Sequence, residues 1–303
     1  MITYDKIKNK EKLVISLTGL TPSEFGILLP FFEEAEDILI SQRIEETERE
    51  RVCGGGRKSA LRTSSDKLLF ILFYFKLYPL QILLGFLFGM GQSQANEWIR
   101  RLTEVIRFAL SLMECLPERD PHSLEKTLTE DGETEFVIDG AEREICRPTD
   151  YEKQKKYYSG KKKRHTVKNN LIISVAGRKV RYLSGTCEGK KHDKKICDEE
   201  NPVFPKGITL LKDTGFQGYE PEGVDTRQPK KKPRGGELSV GEKVGNSLIS
   251  GVRIVAEHVI SGVKRCRIVK EKFRNTKKNC ADLVMEIACG LHNLRTECRQ
   301  NQN

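Results

Sequence analysis

Three acidic residues stand where a folded chain would bring them close together. Asp139 directly follows an apolar run at 136–138, and Asp213 follows a second run at 208–212. Both runs predict buried β-strands, and an aspartate at the end of a buried strand is rigidly held. Glu257 lies within a predicted helix that would complete the set. Hard oxygen ligands of this kind suit Mg²⁺ or Mn²⁺, and two such ions stabilise the attacking and leaving oxygens of an in-line displacement at phosphorus.

The helix that carries Glu257 also carries two cations. Arg253 precedes the glutamate by four residues and Lys264 follows it by seven, so all three share one helix face. The cations on such a face would bind phosphates. Two alternatives stay open. The two aspartates would instead cap turns, and Arg253 with Glu257 would form an exposed salt bridge worth about 0.3–0.5 kcal/mol.

A second candidate site lies in the first half of the chain. Residues 80–86 predict a short apolar helix, residues 88–91 a glycine-rich turn and residues 93–110 an amphipathic helix. This order is typical of a helix-turn-helix, whose second helix enters the major groove. An ordinary helical hairpin with a solvated polar face is the alternative. The groups that would contact base edges or phosphates are Gln92, Gln94, Asn96, Arg100 and Arg101.

The elements that must position these residues change type near residue 120. Before it, a capping box from Thr21 to Glu24 opens one helix, a charged linker occupies 45–57, and Ser65 is the N-cap of a helix over 67–77. After it, strands are predicted at 134–138, 171–175, 179–183 and 208–211, and helices at 192–200, 240–263 and 280–294. This pattern predicts an all-α domain over 1–125 and an α/β domain over 126–303.

The charge of the chain is unevenly distributed. The formal net charge is +10 and the isoelectric point about 9.1. Residues 1–130 carry −2 and residues 131–303 carry +12. This asymmetry indicates a polyanionic partner such as nucleic acid, bound mainly by the second half. The slight negative charge of the first half counts against DNA binding by that domain alone.

Two features suggest other classes of protein and are explained more simply. Residues 68–90 are apolar, but Lys76, Pro79 and Gln81 interrupt them, so two short buried helices are expected rather than a membrane span. The nine cysteines are odd in number and scattered, which favours a reducing, intracellular compartment over a disulfide framework. Cys187, His192 and Cys197 offer three zinc ligands at an unusual spacing, whereas closed zinc sites use four.

The motifs taken together resemble those of DDE transposases. The three elements are FVIDG, LLKDTGFQG and the Arg253–Glu257–Lys264 pattern, and they are most similar to insertion-sequence transposases of the insertion-sequence-five group. Residues 158–166, YSGKKKRHT, look like the basic segment that follows the first motif in that group. Residues 189–193, GKKHD, resemble its Gly-x-x-His-Asp element, and residues 68–101 its helix-turn-helix. One departure is Ser250, where many relatives carry a tyrosine.

The resemblance implies a ribonuclease-H-like catalytic domain preceded by a small helical DNA-binding domain. It implies that Asp139, Asp213 and Glu257 are catalytic and hold two Mg²⁺ or Mn²⁺ ions. It also implies hydrolysis at the ends of an insertion element, followed by attack of the freed 3′-hydroxyl on target DNA. The phosphate-binding residues would be Lys161, Lys162, Lys163, Arg164, His165, Lys168, Arg253 and Lys264.

The expected partner is double-stranded DNA, comprising the terminal inverted repeats and the target, bound by a homodimer. No membrane and no small-molecule cofactor are expected, and the expected location is a prokaryotic cytoplasm, at the nucleoid. Two rival functions stay open. One is a DNA-binding regulator derived from a transposase, which the intact acidic triplet disfavours, and the other is a nuclease of the same fold that does not join strands.

Overall fold

The computed structural model describes residues 1–47, 59–230 and 236–301. The chain divides into two compact units. The first comprises Met1–Leu116, Arg265–Ile268 and Glu297–Asn303, and the second comprises Pro117–Lys264 and Val269–Thr296. The domain boundary at 125/126 remains a prediction.

The first unit is helical. Its main helices are α1 (Glu11–Thr18), α2 (Pro22–Thr47), α3 (Ser64–Leu77), α4 (Gln81–Phe88) and α5 (Gln92–Leu112). The predicted capping box is confirmed: the Glu24 N–H donates to Thr21 Oγ1 at 3.1 Å and the Thr21 N–H to Glu24 Oε2 at 2.7 Å. The predicted linker at 45–57 begins with three residues that belong to α2, and its remainder lies outside the described residues.

The N-cap predicted at Ser65 is wrong. Helix α3 begins at Ser64, and Thr63 Oγ1 accepts the Asp66 N–H at 3.1 Å. The capping oxygen must lie three residues before the N–H that it accepts, and Thr63 meets this requirement with an extended backbone. Ser65 instead places its hydroxyl 2.9 Å from that of Thr63.

The apolar segment at 68–90 contributes two different helices. Residues 68–75 of α3 are all buried, as the sequence predicted. Helix α4 differs, because it exposes Ile82, Leu83 and Phe86. Among the described residues, no single helix is long and apolar enough to cross a membrane, although the bent pair Glu11–Thr18 and Pro22–Glu45 passes by length and composition.

Glycine sets the turn between α4 and α5. Gly89 adopts a left-handed backbone with φ of 71°, which favours glycine. A Cβ on Gly85 would lie 2.6 Å from the Met90 carbonyl oxygen, so the turn passes too close to α4 for any side chain there. The two helices and this turn form the predicted helix-turn-helix.

The second unit is built on a mixed sheet. Its helices are α6 (Leu124–Asp131), α7 (Tyr151–Tyr157), α8 (Asp193–Glu200) and α9 (Val240–Val263), while α10 (Arg267–Lys270) and α11 (Cys280–Gln300) contribute to both units. Its strands are β1 (Glu135–Glu144), β2 (Tyr158–Ser159), β3 (Arg164–Ser174), β4 (Val180–Leu183), β5 (Cys187–Glu188), β6 (Thr209–Lys212) and β7 (Asp225–Arg227).

The sheet has the order β2-β3-β1-β6-β7, and β4 and β5 also pair with β3. Strand β1 is antiparallel to β3 and parallel to β6, which is parallel to β7. Phe136, Ile138, Ile172 and Leu210 form the core beneath it, with apolar side chains from α6 and α8. This mixed α/β arrangement confirms the expected ribonuclease-H-like fold, preceded by a helix-turn-helix.

Several elements differ from the sequence prediction. Strands β1 and β3 extend beyond their apolar runs and pair in continuous register from Phe136 with Ser174 to Glu144 with Thr166. Residues 164–166 of the basic segment therefore lie in β3, whereas residues 160–163 form the turn that precedes this strand. The sequence patterns missed α1, α6, α7, α10 and the short strands β2, β5 and β7.

One buried carboxylate joins three helices of the first unit. Glu36 on α2 is only 4% exposed, and its carboxylate contacts Lys67 of α3 at 2.7 Å and Arg101 of α5 at 3.0 Å. Removal of this charge would leave two largely shielded cations without their partner.

We therefore expect Glu36→Gln to lower the free energy of unfolding by about 2–3 kcal/mol, because a broken buried ion pair leaves uncompensated charge. Urea denaturation monitored by circular dichroism measures the change. Glu104→Gln is the matched control, since Glu104 pairs with Arg43 at 2.5 Å on the surface and its loss costs less than about 1 kcal/mol. Equal losses in the two variants would contradict a structural role for Glu36.

Candidate active site and DNA-contacting surface

The parallel pairing of β1 with β6 brings two aspartates together. Ile138 of β1 is paired with Lys212 of β6, and the next residues are Asp139 and Asp213. Asp213 follows the end of β6 as expected, whereas Asp139 lies within β1, because this strand continues to Glu144 through its pairing with β3. Each carboxylate also accepts the N–H of its successor, Asp139 from Gly140 at 2.7 Å and Asp213 from Thr214 at 2.5 Å. The turn-capping alternative is thus correct in part, and it does not separate the two carboxylates.

A third carboxylate lies near this pair, and it is not the one expected from the sequence. Cβ atoms placed on Gly140 and Gly215 would lie 3.1 and 3.2 Å from the carboxylate oxygens of Asp193. Asp193 therefore lies against the residue after Asp139 and close to Asp213. The Gly-x-x-His-Asp element was the available signal, but its spacing alone does not place this aspartate beside the strand ends.

Electrostatics reflects this crowding of carboxylates. The pKa of Asp139 is raised above its usual value, first by burial and further by the charges of Asp213 and Asp193. The Gly140 N–H and the Arg253 guanidinium act in the opposite direction. A buried carboxylate among other carboxylates attracts cations, because a cation relieves both the repulsion and the loss of hydration.

Helix α9 packs against β1 and β6 and brings its charged residues to different partners. Arg253 contacts Asp213 Oδ2 at 3.3 Å, and the described residues contain no Arg253–Glu257 salt bridge. Glu257 is exposed. Lys264 directly follows the helix, and its pKa is lowered by burial and by the charge of Lys162, while Asp139 opposes this shift.

The oxygen ligands offered by the two neighbouring aspartates fit a hard divalent cation. Asp139 and Asp213 supply carboxylate oxygens, the ligands that Mg²⁺ and Mn²⁺ prefer. Across 1–47, 59–230 and 236–301, no three His, Cys, Asp or Glu side chains come close enough together to hold a metal ion. In this arrangement Arg253 neutralises Asp213, and Glu257 does not join the two aspartates.

The basic segment divides into paired and unpaired cations. Lys168 contacts Asp193 at 3.3 Å and the Lys191 carbonyl at 3.1 Å, and Arg164 contacts Glu144 at 2.7 Å. Directly before Arg164, the exposed turn that joins β2 to β3 carries three further lysines. These lysines have no ion pair within the described part of the chain. They are Lys161, Lys162 and Lys163.

The polar residues of α5 also differ in availability. Gln92, Gln94 and Arg100 are exposed, and Gln94 Oε1 accepts the Gly91 N–H at 3.3 Å. Asn96 donates to Gln81 Oε1 at 3.0 Å, and Arg101 binds Glu36. The DNA-contacting roles of these residues remain predictions.

Among the described residues, the two thiols of the possible zinc site, Cys187 and Cys197, are not activated. Burial raises the pKa of Cys187 and of Cys197 to about 12, so both thiols are protonated near neutral pH. The Cys197 sulfur accepts a hydrogen bond from Asn170 at 3.2 Å in the core. A thiolate is needed both for nucleophilic attack and for zinc binding.

Comparisons with known proteins agree with the motifs. The family described as DDE superfamily endonuclease matches residues 138–293, a span that includes Asp139, Asp213 and Glu257. The family described as helix-turn-helix of DDE superfamily endonuclease matches residues 59–112. The chain is 26% identical over 232 residues to a probable transposase for insertion sequence element IS702 from Microchaete diplosiphon, covering 75% of this chain and 79% of that protein. No solved structure matches.

The glycine that opens the 189–193 element is required by packing. Its N–H donates to the Thr166 carbonyl at 2.9 Å, and a Cβ on Gly189 would lie 2.7 Å from that oxygen and would overlap the Thr166 hydroxyl. We expect Gly189→Ala to lower the free energy of unfolding by about 1–3 kcal/mol, the usual cost of overpacking. Thermal unfolding measures it. Gly160→Ala, where a Cβ would meet nothing within 4 Å, is the control, and equal melting temperatures would refute this explanation.

Proposed function

The chain belongs to the DDE superfamily endonucleases, and from this premise we propose that it is a transposase that cuts and joins DNA at the ends of an insertion element. The observation that carries the proposal is the side-by-side position of Asp139 and Asp213 where the parallel pairing of β1 with β6 ends. The raised pKa of Asp139, caused by burial and by neighbouring carboxylates, supports it.

We assign Asp139 and Asp213 to hold divalent ions, either Mg²⁺ or Mn²⁺, with Glu257 as the third ligand. When bound, two such ions would stabilise the attacking and leaving oxygens at the scissile phosphate. For Glu257 to take part, α9 must bring it to the two aspartates, and a cation bound at Asp213 would take the place of Arg253.

The proposed reaction conserves phosphodiester bonds in its second step. Hydrolysis consumes one water at the end of the element and frees a 3′-hydroxyl. That hydroxyl then attacks a phosphodiester of the target, so one P–O bond forms as another breaks, and the leaving 3′-oxygen takes up the proton. No external energy source is needed.

DNA binding is assigned to two surfaces. The exposed lysines at 161–163, together with Lys264, would contact backbone phosphates near the cut. The exposed polar groups of α5 would read the terminal repeats in the major groove. A homodimer would hold the two ends of the element, because both must be joined to one target.

The first test of the catalytic assignment is Asp139→Asn. Loss of one carboxylate charge removes the attraction for a divalent cation, so Mn²⁺-dependent nicking of supercoiled DNA should fall on the order of 10³-fold or more. Duplex binding should be retained, because no phosphate-contacting group is changed. The amide keeps an oxygen that can accept the Gly140 N–H, so folding should be preserved.

Asp225→Asn is the control for the nicking assay, since Asp225 is exposed and, within the described residues, forms an ion pair with the nearby Arg227 alone. Unchanged nicking by purified, folded Asp139→Asn would refute the assignment. Strand-transfer products separate the transposase from a nuclease of the same fold. Inverted repeats in the DNA flanking the reading frame would supply the specific substrate.

The basic turn generates a separate prediction on salt dependence. Each phosphate contact releases counterions, so log K for duplex DNA should decrease linearly with log salt concentration. Replacing Lys161, Lys162 and Lys163 by alanine should reduce this slope by about 1 for each lost contact. Fluorescence anisotropy at several salt concentrations measures it. Lys126→Ala on α6 is the control, and a slope that the triple variant leaves unchanged would count against the assignment.

A further inference from the structure

An open groove of about 950 Å³ lies beside the carboxylates of the second unit. Helix α7, the β2–β3 turn and the 189–193 element form its walls. Asp193 and Gly215 line the side nearest the two aspartates of the candidate site. Because Asp193 also lies against Gly140, this side of the groove is close to Asp139 and Asp213. Its other lining residues include Tyr151, Tyr158, His165, Lys155, Lys161 and Lys168.

Two of these residues expose aromatic surface to solvent. Tyr151 is 67% exposed and Tyr158 is 44% exposed. The Tyr158 ring contacts His165 edge-on, with centroids 5.6 Å apart, and the Lys155 ammonium lies 4.3 Å from the centroid of Tyr151. Exposed rings that are flanked by cations provide flat apolar faces in a positively charged setting.

Some of the lysines that line the groove already have an ion-pair partner, and one does not. Lys155 is paired with Glu152 at 3.0 Å, and Lys168 is paired with Asp193. Lys161 has no ion pair within the described part of the chain and is exposed at the rim. An anion that enters the groove could therefore bind the Lys161 ammonium group without displacing a carboxylate.

Aromatic faces together with a free cation match a nucleotide whose base is not paired. In a duplex, both faces of each base are covered by neighbouring base pairs, so a tyrosine ring cannot stack on them. In a single strand, bases stack on aromatic side chains while cations track the backbone phosphates. A groove built only for duplex phosphates would have no use for exposed rings.

We propose that this groove binds an unpaired nucleotide of the DNA strand next to the bond that is cut. The base stacks on Tyr151 or Tyr158, and Lys161 contacts the adjoining phosphate. This inference rests on the proposed function, because it assumes that cleavage occurs beside Asp139 and Asp213.

The test compares single-stranded with double-stranded DNA. The probe is a fluorescein-labelled thymidylate strand of about eight nucleotides, within the range of single-strand site sizes. At least one of Tyr151→Ala and Tyr158→Ala should weaken its binding about 5- to 150-fold, the range for loss of one stacked base. Tyr151→Phe and Tyr158→Phe should retain binding, because the ring is kept. Affinity for a duplex of the same length should not change.

Tyr157→Ala is the matched control, since this neighbouring tyrosine is half-buried and does not line the groove. An abasic residue scanned along the probe completes a double-mutant cycle. At the stacked position, removal of the base should cost the wild-type protein affinity but cost the alanine variant little. This non-additivity distinguishes stacking from a general structural effect, and circular dichroism verifies that each variant is folded.

Three outcomes would overturn the inference: equal loss of single-strand and duplex binding in the alanine variants, no loss at all, or additive effects of ring and base at every position. Failure of the proposed function would look different, because wild-type protein would then bind the probe but would not nick DNA in Mn²⁺. Binding of the probe without nicking would thus contradict the proposed function. Nicking without base stacking would contradict only the present inference.

Discussion

The central constraint in the second unit is the parallel pairing that places two carboxylates of like charge side by side. Asp139 and Asp213 cannot move apart, because the strands before them are buried in the core and fixed in register. Burial of those strands outweighs the repulsion, and the surroundings reduce it: backbone N–H groups bind both carboxylates and Arg253 neutralises one of them. The result is a rigid edge at which cations are favoured.

A buried polar network extends this rigidity along β1. The Arg143 guanidinium donates to Asn169 on β3 at 2.7 Å and to the carbonyl of Ala281 in α11 at 2.9 Å. Burial lowers the pKa of Arg143 to about 10, so it remains charged at neutral pH. Asp282 continues the network, since it accepts from Thr186 and pairs with Arg119 at 2.6 Å. Because β1 and β3 are fixed beyond the acidic pair, the basic turn is held on the same sheet as the carboxylates.

Sequence reasoning found those parts of the structure that rest on strong local patterns. Helix Val240–Val263 was predicted with both of its ends, since its apolar stripe is a local signal, although its capping residue Ser239 was not recognised. The apolar centres of β1, β3, β4 and β6 were also found. The polar ends of β1 and β3 were missed because their residues satisfy one another across the sheet, as Arg143 does with Asn169, and no local pattern encodes such pairs. Asp193 was missed as a neighbour of the acidic pair for the same reason, since only the fold brings it there.

The same distinction between local and long-range information applies to charge. The sequence gives +12 for residues 131–303, but the structure separates cations that are already neutralised from those that are free to meet a polyanion. A paired cation must give up its carboxylate before it binds a phosphate. The net gain in binding free energy is then only the difference between two similar interactions. Lys161 gives up no such partner, and neither do its two neighbours within the described residues. Arg253 is the informative intermediate case, because any cation that takes its place at Asp213 frees the guanidinium for a phosphate. Charge balance would therefore link a cation at the acidic pair to contact between Arg253 and a phosphate, even though the two sites lie on different elements.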